Sequence, residues 1–199
     1  MSNHPPSLLY KAKNMKNISH YNRILVIMVA VVAMTVSGWG KAEASEITPE
    51  KVIELVNTSR IQGGVGIVSS DPALTEAARL KAADMFTKQY FNHVAPDGTT
   101  PWHWLEVSHY AYRYAGENLA ISFTQAENQH NAWMASELHR KNIMNPKYDE
   151  IGIAVQKGFM DGRESIVTVQ FFGKKLVAGA KVSSKTAQNI APAPTVIKN

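Results

Sequence analysis

The chain has 199 residues, a formal net charge of +5, 45% hydrophobic and 19% charged residues, and no cysteine. That composition supplies one domain core with extensions, and it excludes disulfide staples, thiol nucleophiles, zinc–thiolate sites and a lipid-modified N-terminal cysteine. The basic excess is local: residues 1–44 hold Lys11, Lys13, Lys16, Arg23 and Lys41 against Glu43, so the remainder is close to neutral and shows no nucleic-acid footprint, which needs a clustered basic face.

Residues 24–40 contain no charge, the segment before them has basic residues and no acid, and Ala42-Glu43-Ala44 follows with a small-x-small pattern. This order is that of an export signal cleaved near Ala44. The alternative is an uncleaved anchor, although the run falls short of the roughly 20 apolar residues of a stable span. Both place the folded part outside the cytoplasm, secreted or in the periplasm or at the cell surface, with membrane contact only if the segment is retained. Export without cysteine suits a bacterial envelope protein.

Thr48-Pro49 reads as N-cap and first residue of a helix, with Val52, Leu55 and Val56 on one face and Gly63-Gly64 as its stop. Residues 65–70 connect, with some strand character. Asp71-Pro72 opens a second helix in which Leu74, Ala78, Ala82, Met85 and Phe86 form the apolar stripe, and Arg79, Lys81 and Lys88 lie off it. It ends near Tyr90, and Tyr90 and Phe91 are expected in the core.

Pro96-Asp97-Gly98 is a turn in which Asp97 serves the backbone. Thr100-Pro101 heads a short helix to about Val107, with Trp102 and Trp104 as packing residues. Tyr110, Tyr112 and Tyr114 alternate into Gly116, as a short strand does. Thr124 caps a helix to about Ala135. Ser136 caps a further turn that holds His139 and ends at Asn145-Pro146. Ile151, Ile153 and Val155 mark a strand, Val167, Val169 and Phe171 another, and residues 159–163 join them as a hairpin. The domain thus spans residues 45–175. Residues 176–199, rich in Ala, Ser, Lys, Pro and Asn, read as a flexible tail.

Three polar segments stand out: residues 91–98 (FNHVAPDG), residues 116–120 (GENLA), and residues 133–154 (W-x-x-S-x-x-H-R-x-N-I-M-N-P-x-Y-x-E-I-G-I-A). In this order and spacing they resemble the CAP superfamily, also called SCP-like (cysteine-rich secretory proteins, antigen 5, pathogenesis-related proteins of group 1), in its bacterial branch. The resemblance spans residues 47–173. It implies an α+β fold, a three-layer α-β-α sandwich with a small antiparallel sheet and a wide cleft. In many members that cleft carries two His and two acids, and some bind zinc or another divalent ion there.

By position, His93 and His139 match the two family histidines and Glu117 the first acid. The second acid sits three residues after the tryptophan. Here that position is Ser136, with Glu137 next, so the four-residue site is incomplete. Asn118, Ser136, Glu137 and Asn142 complete the expected cleft.

Two neutral imidazoles, His93 and His139, are a donor set for Zn²⁺ at about 2.0–2.1 Å, with water filling the other positions and Glu117 fixing a ring from behind. Two ligands make a weak, exchangeable site, and no other cofactor is implied. Without metal, His93, Glu117 and His139 remain suited to general acid–base catalysis. The bland alternative is that Glu117, Asn118 and Asn142 tie a turn to helix ends through hydrogen bonds. His103, His109 and His130 show no partner pattern and read as surface or packing residues, and Arg140 and Lys141 as a solvated rim.

Two functions stay open. One is a monomeric binding module that accepts a lipid, glycan or peptide in an aromatic-lined groove (Trp102, Trp104, Tyr112, Tyr114), with or without a metal. The other is an envelope hydrolase of peptide or cell-wall bonds. The export reading has its own check. The intact mass of protein recovered outside the cytoplasm is expected to lack residues 1–44, and full-length mass would convert the signal into an anchor.

Overall fold

The computed structural model describes residues 46–176 and the backbone of Ile197 and Lys198. The export segment and the tail residues 177–196 lie outside the described residues. Among the described residues, no helix is long and apolar enough to cross a membrane.

Helix α1 spans Pro49–Gln62, and Thr48 accepts the Lys51 amide at its start. Strand β1 is Ser69–Ser70. Helix α2 spans Pro72–Thr87, with the Asp71 carboxylate accepting from the amides of Ala73 and Leu74. Helix α3 is Pro101–Val107. In all three helices proline occupies the first turn, where no amide partner is needed. Strand β2 is Tyr112–Ile121, α4 is Ala126–Ala135, α5 is Glu137–Ile143, β3 is Glu150–Met160 and β4 is Arg163–Lys175. Ile197–Lys198 form β5, which pairs parallel with Ala120 and Ile121, so these two residues of the expected tail join a sheet edge.

The sheet order is β1-β3-β4-β2-β5. The long strands β3, β4 and β2 are antiparallel, as expected. The two short edge pairs are parallel, so the sheet is mixed. β3 and β4 are joined through Asp161 and Gly162, both at positive φ (52° and 73°), which is the twist a two-residue hairpin turn requires.

Apolar residues cover both faces. One core joins Leu74, Ala78, Ala82 and Met85 of α2 to Leu119, Val167, Val169 and Phe171. The other joins Val52 and Val56 of α1 and Trp133 of α4 to Ile151, Ile153 and Phe172. Helices therefore lie on both sides of the sheet. Gly152 lets α2 sit directly on β3: a Cβ there would stand 2.1 Å from the Leu74 carbonyl carbon.

The structure corrects two sequence expectations. Gly116-Glu117-Asn118 is not a turn but the middle of β2, paired with Phe172, Phe171 and Gln170. Lys81, expected off the apolar stripe, is fully buried on it. Both errors come from reading polarity as exposure in elements whose partners lie far away in sequence.

Arg60 is a second buried cation, and its guanidinium donates to four carbonyls: Gly66 (2.6 Å), Ile143 (2.8 Å), Asn145 (3.0 Å) and Tyr148 (2.9 Å). It thereby satisfies the end of α5 and the connection into β3 from α1. Arg60→Met leaves those carbonyls without their donor. It is expected to cost about 3 kcal/mol of unfolding free energy, read as a lower urea midpoint. Arg79→Met, which removes only the exposed pair with Glu76, is expected to stay within about 0.5 kcal/mol.

Candidate functional site

Each functional side chain reaches the site by a different route. In β2 successive residues face opposite sides of the sheet. Glu117 therefore points towards the α2 side and Asn118 towards the other. His93 lies in the segment between α2 and the turn Ala95–Gly98, which the Gly98 amide closes on the Ala95 carbonyl (2.9 Å) with Gly98 at φ 85°. Helix α5 supplies His139 and, nearly one turn later, Asn142.

Asn142 Nδ2 donates to the Glu117 carbonyl (3.0 Å) and to Asn118 Oδ1 (2.9 Å). Asn118 Nδ2 donates to Gln170 Oε1 (2.8 Å) and more loosely to the His139 carbonyl (3.3 Å). Gly116 permits this approach, since a Cβ there would lie 2.5 Å from Tyr148 Oη and 3.0 Å from Asn142 Oδ1.

The ring of His93 is hydrogen-bonded through Nδ1 to Glu117 Oε1. The ring of His139 is bonded through Nδ1 to Ser136 Oγ at 2.7 Å, so Ser136 orients the imidazole instead of capping the α5 backbone with its side chain. Burial pushes the His139 imidazole down to about 4, and the neighbouring His93 acts in the same direction. His139 Nε2 and Glu117 Oε2 are both buried and have no hydrogen-bond partner among the described residues.

His93, Glu117 and His139 thus come together, but not at an open surface. They are 4%, 2% and 0% exposed, which corrects the expectation of a water-accessible cleft. Asn118 and Asn142 are buried with them, whereas Glu137 is exposed on the first turn of α5, outside the buried cluster. Open cavities of about 480 and 320 Å³ lie at the hairpin end of the sheet, lined by Ser122, Phe159 and Glu164 among others.

The aromatics divide too. Trp102, Trp104 and Tyr112 pack half-buried on one core, and Tyr114 packs on the other between Arg113 and Lys147. Among the described residues, no group of three or more His, Asp or Glu is arranged to hold a metal ion.

Sequence reasoning missed Lys81, whose Nζ donates to the His93 carbonyl at 2.6 Å. Only its four-residue spacing from Ala77 and Met85 on the buried face of α2 could have signalled burial. His130 is a packing residue, as expected, with Nε2 2.7 Å from Ser59 Oγ.

Comparison with known proteins fits this architecture. A model of the CAP family, described as the cysteine-rich secretory protein family, matches residues 53–171. The uncharacterized protein YkwD of Bacillus subtilis (strain 168) is 39% identical over 125 residues, covering 63% of this chain and 47% of that protein. The uncharacterized membrane protein YlbC of the same organism is 27% identical over 121 residues, 61% of this chain and 34% of that protein. The chain therefore spans about half or less of the length of these curated relatives.

Among solved structures, an extracellular protein containing an SCP domain from Bacillus anthracis superposes with a TM-score of 0.55 at 25% identity, covering 64% of this chain and 40% of that one. An outer surface protein of Borrelia burgdorferi gives 0.56 at 20% identity, covering 67% and 99%, a likeness of fold.

The depressed His139 has a stability consequence. Below its ordinary value of 6.5 the unfolded chain takes up a proton that the folded chain refuses until about 4. The stabilisation is complete above pH 6.5 and is lost as pH falls towards 4. His130, also held down by burial, adds in the same sense. The urea midpoint is expected to fall across this window, and His139→Gln to flatten the fall.

Proposed function

This chain belongs to the CAP family of cysteine-rich secretory proteins, and we propose that it works outside the cytoplasm as a monomeric, secreted or envelope-exposed binding domain whose His93–Glu117–His139 cluster takes a small polar ligand, foremost a divalent cation. One observation carries the reading: His139 Nε2 and Glu117 Oε2 are buried without partners in one cluster. A buried polar atom left unpaired costs about 1–3 kcal/mol, and a bound ligand that brings partners to these atoms relieves that cost.

The donor chemistry fits a cation in part. In the tautomer whose Nδ1–H donates to Ser136 Oγ, His139 keeps its Nε2 lone pair, and burial keeps that ring neutral. Glu117 stands behind His93 as an outer carboxylate that orients the ring. Two imidazoles are fewer than the three protein ligands of a catalytic zinc site, so the fit is to a weak, exchangeable ion that completes its shell with water or a ligand group. A bound ion would supply Lewis acidity. His93 and His139 would hold it, and Glu117 would fix the His93 tautomer.

The cluster lies close beneath the surface at residues 92–94, where Asn92 and Val94 are exposed on either side of buried His93. The location is supported by the charge order of residues 1–44 and by relatives described as an extracellular protein and a membrane protein. The hydrolase alternative draws on the His93–Glu117 pair, which is the partnership acid–base catalysis uses.

Calorimetric titration with Zn²⁺ tests the proposal. The purified protein is expected to give a binding heat that His139→Ala abolishes and that Glu117→Gln weakens about 10–100-fold. Absence of heat would overturn the cation. Turnover of peptide or cell-wall substrates that vanishes in both His93→Ala and Glu117→Gln would install the hydrolase in its place.

A further inference from the structure

The geometry points to Lys81 as a positioning residue of this site, holding the main chain of His93 so that its imidazole meets Glu117. The inference deepens the ligand-site reading and rests on it for one arm of the test below.

Lys81 lies on the buried face of α2 among Ala77, Ala78, Ala82 and Met85, and is itself fully buried. An ammonium in such surroundings is costly unless its donors are used and a counter-charge is near. Its donors are used on the segment that carries the imidazole: Nζ donates to the His93 carbonyl at 2.6 Å and the Asn92 carbonyl at 3.2 Å, with Tyr90 Oη at 3.4 Å. The Tyr90 ring lies beneath it, 5.3 Å from Nζ to the centroid.

The His93 amide is held from the other side, donating to Asn92 Oδ1 at 2.7 Å. Tyr90 in turn donates to Asp84 Oδ2 at 2.7 Å, and its amide to the Met85 carbonyl at 3.1 Å, which anchors the start of the loop to α2. With both backbone groups of His93 fastened, the ring is left with little freedom, and it lies against Glu117 Oε1.

The counter-charge comes from the same place. Desolvation lowers the Lys81 pKa, and Glu117 is the first of the groups that oppose that fall, with Asp84 beside it. Asp84 also pairs with Lys88 at 2.8 Å and Glu117 with the His93 ring, so Lys81 shares both carboxylates, Glu117 first. A methionine or leucine would fill this apolar position at lower cost. What the ammonium adds is a fixed attachment between α2 and the His93 loop.

The test uses the whole protein with ¹⁵N-labelled histidine and the variants Lys81→Met, Lys81→Arg and Tyr90→Phe. The expected result for Lys81→Met is loss of the hydrogen-bonded Nδ1 signature of His93 and about a tenfold weaker Zn²⁺ affinity, with a cooperative melt retained. Tyr90→Phe loses the bond to Asp84 and the longest Lys81 contact, and is expected to lower the melting temperature without moving the His93 signals. Lys81→Arg keeps charge and donors and is expected to keep the Nδ1 signature.

A folded Lys81→Met with unchanged His93 signals overturns the inference. If Lys81→Met does not fold, Lys81→Arg decides, and loss of the Nδ1 signature there counts against the role. If the wild type binds no Zn²⁺, the cation reading falls, while the nitrogen signals still decide on Lys81.

Discussion

The side chain of Asn142 fastens the last helix to strand β2, and the site exists because of that attachment. Its amide spans the Glu117 carbonyl and the Asn118 side chain, and Asn118 continues to Gln170 on β4. A seven-residue helix has too few internal hydrogen bonds to hold itself. Buried amide bonds to a strand that is paired on its other edge give α5 a fixed height over the sheet. His139, three residues before Asn142, is placed by the same bonds.

Two buried cations do for the loops what Asn142 does for α5. Arg60 gathers carbonyls from residues 66, 143, 145 and 148, and Lys81 gathers those of residues 92 and 93. Loop carbonyls carried below the surface need donors, and one long cationic side chain serves several at once. The geometry explains how a chain without cysteine keeps irregular segments in place around a polar centre.

The centre itself is a polar cluster in a dry setting. Glu117 meets the His93 ring, Ser136 meets the His139 ring, and burial disfavours a charge on His139. Low local dielectric strengthens each satisfied bond and raises the cost of each unsatisfied one. That is why the unpartnered Nε2 of His139 weighs more than its place in the family motif.

What could be read from residues alone was whatever depends on neighbours within a few positions. Thr48-Pro49, Asp71-Pro72 and Thr100-Pro101 each begin a helix, and Asp161-Gly162 turns a hairpin, because caps and turns are decided by local φ and by side chains one to three residues away. The identity of His93, Glu117 and His139 as the polar centre was legible from motif order. Their depth was not. Lys81 finds its acceptors 11 and 12 residues on, Arg60 as far as 88 residues on, and Gly116-Glu117-Asn118 becomes strand because β4 lies beside it. Burial is a property of what packs around a residue, and for a sheet covered on both faces those neighbours come from the whole chain, so only the tertiary fold settles which polar groups go inside.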